Sequence, residues 1–144
     1  MYTCIVVGTD GSPTADRAAE VAANLARQLR APLHLVTAFQ STGRGMASLS
    51  GADIVDPAAE QVWRESVGHI AERAVATWGE GVVTERHVVS GPAADAILNT
   101  AADVGADLIV VGSKGMQGLR RVLGSVPNSV AHGASCDVLI VKTD

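Results

Sequence analysis

Aromatic residues are scarce: two Trp, one Tyr and one Phe in 144 residues, against 47% hydrophobic residues in all. A core built from this chain must therefore be aliphatic, filled by Val, Ile, Leu and Ala. The scarcity also leaves no stacking platform of the kind that RNA-binding modules use. Positive charge is in deficit, 11 Lys and Arg against 15 Asp and Glu, and a net charge of −4 does not suit a partner with a phosphate backbone. Nucleic acid is excluded as the expected partner. No apolar run approaches the ~20 residues of a membrane span. The start, MYTCIVVGTDG, lacks a basic leader region and a small-residue cleavage site, so the expectation is a cytoplasmic protein with no membrane partner. The two cysteines, Cys4 and Cys136, have no C-x-x-C spacing and read as small hydrophobes rather than as a disulfide or metal pair.

Catalytic constellations are missing too. Gly133-Ala134-Ser135-Cys136-Asp137 approaches the G-x-S-x-G nucleophile elbow without its second glycine. The four histidines are scattered, with no pair at ligand spacing, and no pair of carboxylates stands out for acid–base work. His34 reads as a packed or edge side chain and His87 as a solvated edge residue. The two common phosphate loops are absent: no glycine is followed by Lys and a hydroxyl residue, and Gly43 and Gly45 have Ser48 where a third glycine belongs.

What is present is an alternation of strand and helix signals. Cys4–Gly8, Leu33–Phe39, Val82–Val89, Leu108–Val111 and Val138–Lys142 are short apolar or β-branched runs and read as strands. Ser12-Pro13 supplies N-cap and N1 of a first helix, whose apolar stripe runs through Ala15, Ala18, Val21, Ala22, Leu25 and Leu29. A second helix spans Pro57 to Trp78, with Trp63, Val67, Ile70, Ala74 and Trp78 on one face as packing residues. A third follows Ser90-Gly91-Pro92 and ends at Gly105, and Pro127 opens a fourth. Gln40 to Asp56 reads as a loop. Five strands alternating with four helices predict one domain over residues 1–144, a parallel sheet covered on both faces.

The stretch from Asp107 to Val130 concentrates the chemistry. A buried strand ends at Gly112, and Gly115, Gly118 and Gly124-Ser125 follow before the helix at Pro127. Glycines let backbone N–H groups approach a ligand, and a helix start attracts anions. Lys114, Arg120 and Arg121 place cations in the same stretch of an acidic chain. Phosphate is the ligand class this suits. Asp10, at the carboxyl end of the first strand, stands where open α/β sheets place ligand contacts, and reads equally as a turn aspartate bonding its own loop.

This stretch resembles the nucleotide-binding signature of the universal stress protein family: glycine, two residues, glycine, nine residues, then a glycine-serine or glycine-threonine pair. Gly112, Ser113, Lys114, Gly115 and Gly124-Ser125 stand in that pattern, with eight residues, Met116 to Leu123, where the family has nine. The resemblance implies a Rossmann-like three-layer α/β fold with a five-stranded parallel sheet in the order 3-2-1-4-5. It implies ATP, with Mg, or else cyclic AMP, bound non-covalently between the ends of strands one and four. Gly112, Ser113, Lys114, Gly115, Gly124, Ser125 and Val126 would hold phosphates, Thr9 and Asp10 the adenosine half, and Ala38 the adenine pocket. It further implies a homodimer through the last strand. Three functions stay open: a nucleotide-binding stress-response regulator, a ligand-free dimerisation module of the same fold, and a slow ATP hydrolase.

Overall fold

The computed structural model describes residues 1–39, 57–113 and 125–143. The strands are β1 (Ile5–Gly8), β2 (Leu33–Phe39), β3 (Thr84–Ser90), β4 (Leu108–Gly112) and β5 (Asp137–Val141). The helices are α1 (Pro13–Leu29), α2 (Pro57–Trp78), α3 (Ala93–Val104) and α4 (Val126–Gly133). All pairings are parallel, and the five strands stand in the order β3-β2-β1-β4-β5. The expected loop at Gln40–Asp56 lies outside the described residues.

Side chains of successive strand residues point to opposite faces, and the core divides accordingly. On one face Ile5, Val7, Leu33, Leu35, Leu108 and Val110 pack against alanines of α1 and Ala74 of α2. On the other, Val6, Val36, Ile109 and Val111 pack against Ala96, Ile97 and Ala101 of α3 and Val130 of α4. β1, buried on both faces, reads IVVG without polar alternation, as a central parallel strand should. The three-layer doubly wound arrangement follows.

Helix termini sit where the caps put them. Ser12 caps α1, its hydroxyl accepting from Ala15 N at 3.3 Å with proline behind it, and Ser125 caps α4 through Asn128 N at 3.4 Å. Gly105 ends α3 in the left-handed region at φ 66°. Two helix faces differ from the sequence reading. α1 buries Ala18, Ala19, Ala22, Ala23 and Ala26, while Val21, Leu25 and Leu29 are only partly covered. Alanines let the helix lie close to the sheet, and that contact outweighs the larger side chains in setting its rotation. On α2 the buried positions are Val67, Ala71 and Ala74, and Trp63, expected to pack, is 41% exposed. Trp78, the last residue of α2, does pack against the core.

The amino ends of β1 and β4 are tied by one carboxylate. Asp107 accepts from Thr3 N at 2.8 Å, Thr3 Oγ1 at 2.8 Å and Cys4 N at 3.0 Å, and its own N–H donates to Cys4 O. Partial burial pushes this carboxyl's pKa up, and the hydrogen bonds from Cys4 and Thr3 outweigh it, leaving the group below its ordinary value.

Candidate functional site

From β1 the sheet extends through β2 on one side and through β4 on the other, so the carboxyl ends of β1 and β4 flank a switch point. In sheets of this kind ligands bind in that crevice. The chain leaving β1 is held open there by its own polar groups. Thr9 N donates to Val36 O at 2.9 Å, and the buried Thr9 hydroxyl accepts from Gly11 N at 3.3 Å. Asp10 Oδ1 accepts from Ser12 N at 2.9 Å, a turn of the kind short carboxylates form with their own backbone. Gly11 is left-handed at φ 75°, a conformation that costs glycine least. Asp10 thus builds the turn, and it is exposed beyond the carboxyl end of β1.

On the facing strand, Gly112 is there because nothing larger fits freely. A Cβ on it would lie 3.3 Å from Thr14 O, in the first turn of α1, and 3.3 Å from Thr143 Cγ2. Bare backbone from β4 therefore meets the amino end of α1, the end at which a helix dipole favours anions. Ser113 is bonded elsewhere: its N–H donates to Val141 O, and its Oγ accepts from Thr143 N at 3.1 Å and pairs with Thr143 Oγ1 at 3.2 Å. Ala38 is half-buried near the end of β2, one pleat beyond the residue that holds Thr9. Ser125 and Val126 begin α4, which packs against α3, β4 and β5. Thus Thr9, Asp10, Ala38, Gly112 and Ser113 come to one end of the sheet, while Lys114, Gly115 and Gly124, with Arg120 and Arg121, lie outside the described residues.

Two contributors were not foreseen. Arg73 of α2 reaches the crevice loop, Nη2 donating to Gly11 O at 3.0 Å. Thr143, beyond β5, anchors Ser113. Neither has a sequence signal, since each contact joins segments 62 and 30 residues apart.

Of the histidines, His34 is packed, as its sequence reading allows, and His87 differs from its own. His34 and His87, 53 residues apart in the chain, face each other across β2 and β3 with Nδ1 and Nε2 at 2.9 Å. His87 is not a solvated edge residue but half-buried against its partner, and Glu85 Oε2 lies 3.7 Å from His34 Nδ1. Burial, then the neighbouring His87, pushes the His34 pKa down against the pull of Glu85. The two cysteines are free, and burial raises both thiols' pKa, which disfavours the thiolate.

A doubly wound parallel α/β unit with its switch point between β1 and β4 defines the class of Rossmann-like three-layer domains. Within that class this chain belongs to the universal stress protein family, whose sequence model, described as Universal stress protein family, matches residues 1–142. It is 36% identical over 147 residues to universal stress protein Rv1636 of Mycobacterium tuberculosis, covering 99% of this chain and 97% of that one. Among solved structures, a universal stress protein in complex with cAMP superposes with a TM-score of 0.81 at 31% identity, covering 99% of each chain. The universal stress protein from Archaeoglobus fulgidus in complex with dAMP superposes with a TM-score of 0.69 at 26% identity, covering 98% of each. No helix among the described residues is long and apolar enough to cross a membrane.

Proposed function

We propose that this chain is an adenine-nucleotide-binding stress-response regulator, taking ATP or cyclic AMP between the ends of β1 and β4 and working as a homodimer through β5. The observation that carries this reading is the meeting of Gly112 with the first turn of α1 beside the Thr9–Ser12 turn. Structures of relatives in complex with cAMP and dAMP support it. In this reading Thr9 and Asp10 hold the adenosine half, Ala38 lines the adenine, and the glycine stretch from Gly112 to Val126 receives phosphates, with Mg accompanying ATP. A micromolar ligand supplies about 8 kcal/mol of binding free energy, enough to fix a conformation or a dimer without any bond being broken. Binding is then the function.

A ligand-free dimerisation module of the same fold is the second reading. What favours it is that the Ser113 hydroxyl and the Asp10 carboxylate are both bonded within the chain, together with a glycine stretch one residue short of the family pattern. Calorimetry of wild type and Gly115→Val with ATP–Mg and with cyclic AMP separates the two. Micromolar binding that the valine abolishes supports the nucleotide reading. Folded wild type that binds neither nucleotide overturns it in favour of the ligand-free module.

A further inference from the structure

The cluster on β2 and β3 has no part in the crevice. In the parallel register His34 stands beside Glu85 and Val36 beside His87, so His34, Glu85 and His87 share one face of the sheet. It is the face whose core Val36, Ala38 and Val89 join with α3. His34 is the second residue of β2 and Phe39 its last. In the register His34 is level with Val6 of β1, three residues short of Thr9, so the cluster lies roughly 10 Å back along the strands from the Thr9–Ser12 turn.

We propose that His34, Glu85 and His87 form a binding site for a divalent cation of the zinc class. The ligand atoms of the three residues all lie within 4.8 Å of one another. A Zn²⁺ bound to two imidazole nitrogens at about 2.0–2.1 Å holds those nitrogens about 3.3–3.4 Å apart at the tetrahedral angle. His34 Nδ1 and His87 Nε2 stand at 2.9 Å. An ion enters once the donor ring carries its proton on its other nitrogen, so that two lone pairs face each other, and the rings open by a few tenths of an ångström. Glu85 Oε2, at 3.7 Å from His34 Nδ1, completes the third position by a small rotation of an exposed side chain.

The chemistry of the donor set points the same way. Imidazole nitrogens suit zinc, copper and nickel and not magnesium or calcium, and two histidines with one glutamate are a known set for zinc that keeps an outer position for water. His34 is 90% buried and Glu85 two-thirds exposed at the side chain, so the site is walled on the sheet side and open on the solvent side. Burial keeps His34 neutral at physiological pH, with a lone pair to offer. Metal there joins the edge strand β3 to β2 and stabilises the edge of the sheet, independently of any nucleotide.

The test is calorimetric titration of the full chain with Zn²⁺ alone in a non-chelating buffer, with thermal unfolding in parallel. The expected result is one equivalent bound with micromolar affinity and a raised midpoint. His87→Ala weakens binding by more than the roughly 10–100-fold that loss of an outer partner costs a metal site. Glu85→Gln, on an exposed position that cannot unfold the sheet, weakens it less. His69→Ala and His132→Ala, which alter the two remaining histidines, leave it unchanged. Zinc-dependent shifts of the His34 and His87 ring resonances give an independent readout. Binding well below one equivalent, or affinity that survives His87→Ala in a folded variant, overturns the proposal and leaves the two rings as a hydrogen-bonded pair.

Discussion

Arg73 Nη2 donates to the carbonyl oxygen of Gly11 at 3.0 Å, so α2 holds the turn that carries Asp10. The bond is exposed, and its net worth is about 1 kcal/mol, since water competes for both partners. Arg73→Ala should therefore leave the global fold almost untouched and loosen the turn. Amide exchange at Ser12, whose N–H is bonded to Asp10, should quicken roughly fivefold, the factor that 1 kcal/mol gives. Nucleotide affinity should weaken by a similar factor, with Arg73→Lys recovering part of it. Unchanged exchange in the alanine variant would show that the turn holds without α2.

Asp107 gives a prediction with a definite pH sign. Three donors from Thr3 and Cys4 converge on its carboxylate, and the outcome is a folded pKa below the ordinary value of 3.8. A carboxyl depressed on folding adds stability that is complete above its unfolded pKa and is lost as pH falls through the folded one. Asp107→Ala should cost about 2 kcal/mol near neutrality, read from the urea midpoint, because charge-assisted bonds are lost and two strand-end amides are left to water. The gap between wild type and variant should stay constant down to about pH 5 and narrow below it. A gap independent of pH would mean that the carboxylate charge contributes nothing.

Gly8 and Ile97 form a packing couple. A Cβ on Gly8 would lie 2.5 Å from Ile97 Cδ1, in the layer where α3 covers the end of β1. Gly8→Ala should destabilise by about 1–3 kcal/mol through overpacking. Ile97→Val removes that very methyl and alone costs about 1 kcal/mol. In the double variant the added methyl occupies the vacated space, so denaturant unfolding should give a loss smaller than the sum of the two. Strict additivity would rule the clash out.

These contacts mark what the sequence could carry and what it could not. The strands, the capped start of α1 and the glycine end of α3 rest on neighbours within a few residues, and local chemistry decided them: Ser12 with Pro13, Gly105 after Val104. The strand order came from the resemblance carried by Gly112 and Ser113. The pairing of His34 with His87 was hidden because it depends on how β2 slides against β3: a shift of one residue would turn the two rings to opposite faces. Arg73 was hidden for the same kind of reason, as a long side chain whose reach depends on where α2 sits. The rotation of α1 was misread because the size of an apolar side chain says how much it gains from burial, not how close the helix must come. The resemblance named Thr9, Asp10, Ala38, Gly112 and Ser113, which lie at one end of the sheet, but nothing in it signalled the bond of Ser113 to Thr143.

β5 supplies the last prediction. It is one of the two edges of the sheet, its outer backbone groups have no strand beside them among the described residues, and Leu139 at its centre is 36% exposed. An apolar edge strand of this kind pairs with another chain unless it is blunted, and a lysine in the strand is one of the ways natural proteins blunt such edges. If two copies join along β5, Leu139→Lys sets two like charges close together across the dimer axis while leaving each protomer's core intact, since the side chain already meets solvent. Sedimentation velocity should then show wild type as a dimer and Leu139→Lys as a folded monomer, with thermal unfolding of the variant no longer dependent on protein concentration. Leu139→Thr, which keeps the strand propensity and adds no charge, should weaken the dimer less. A wild type that sediments as a monomer, or a lysine variant that stays dimeric, would move the interface away from β5.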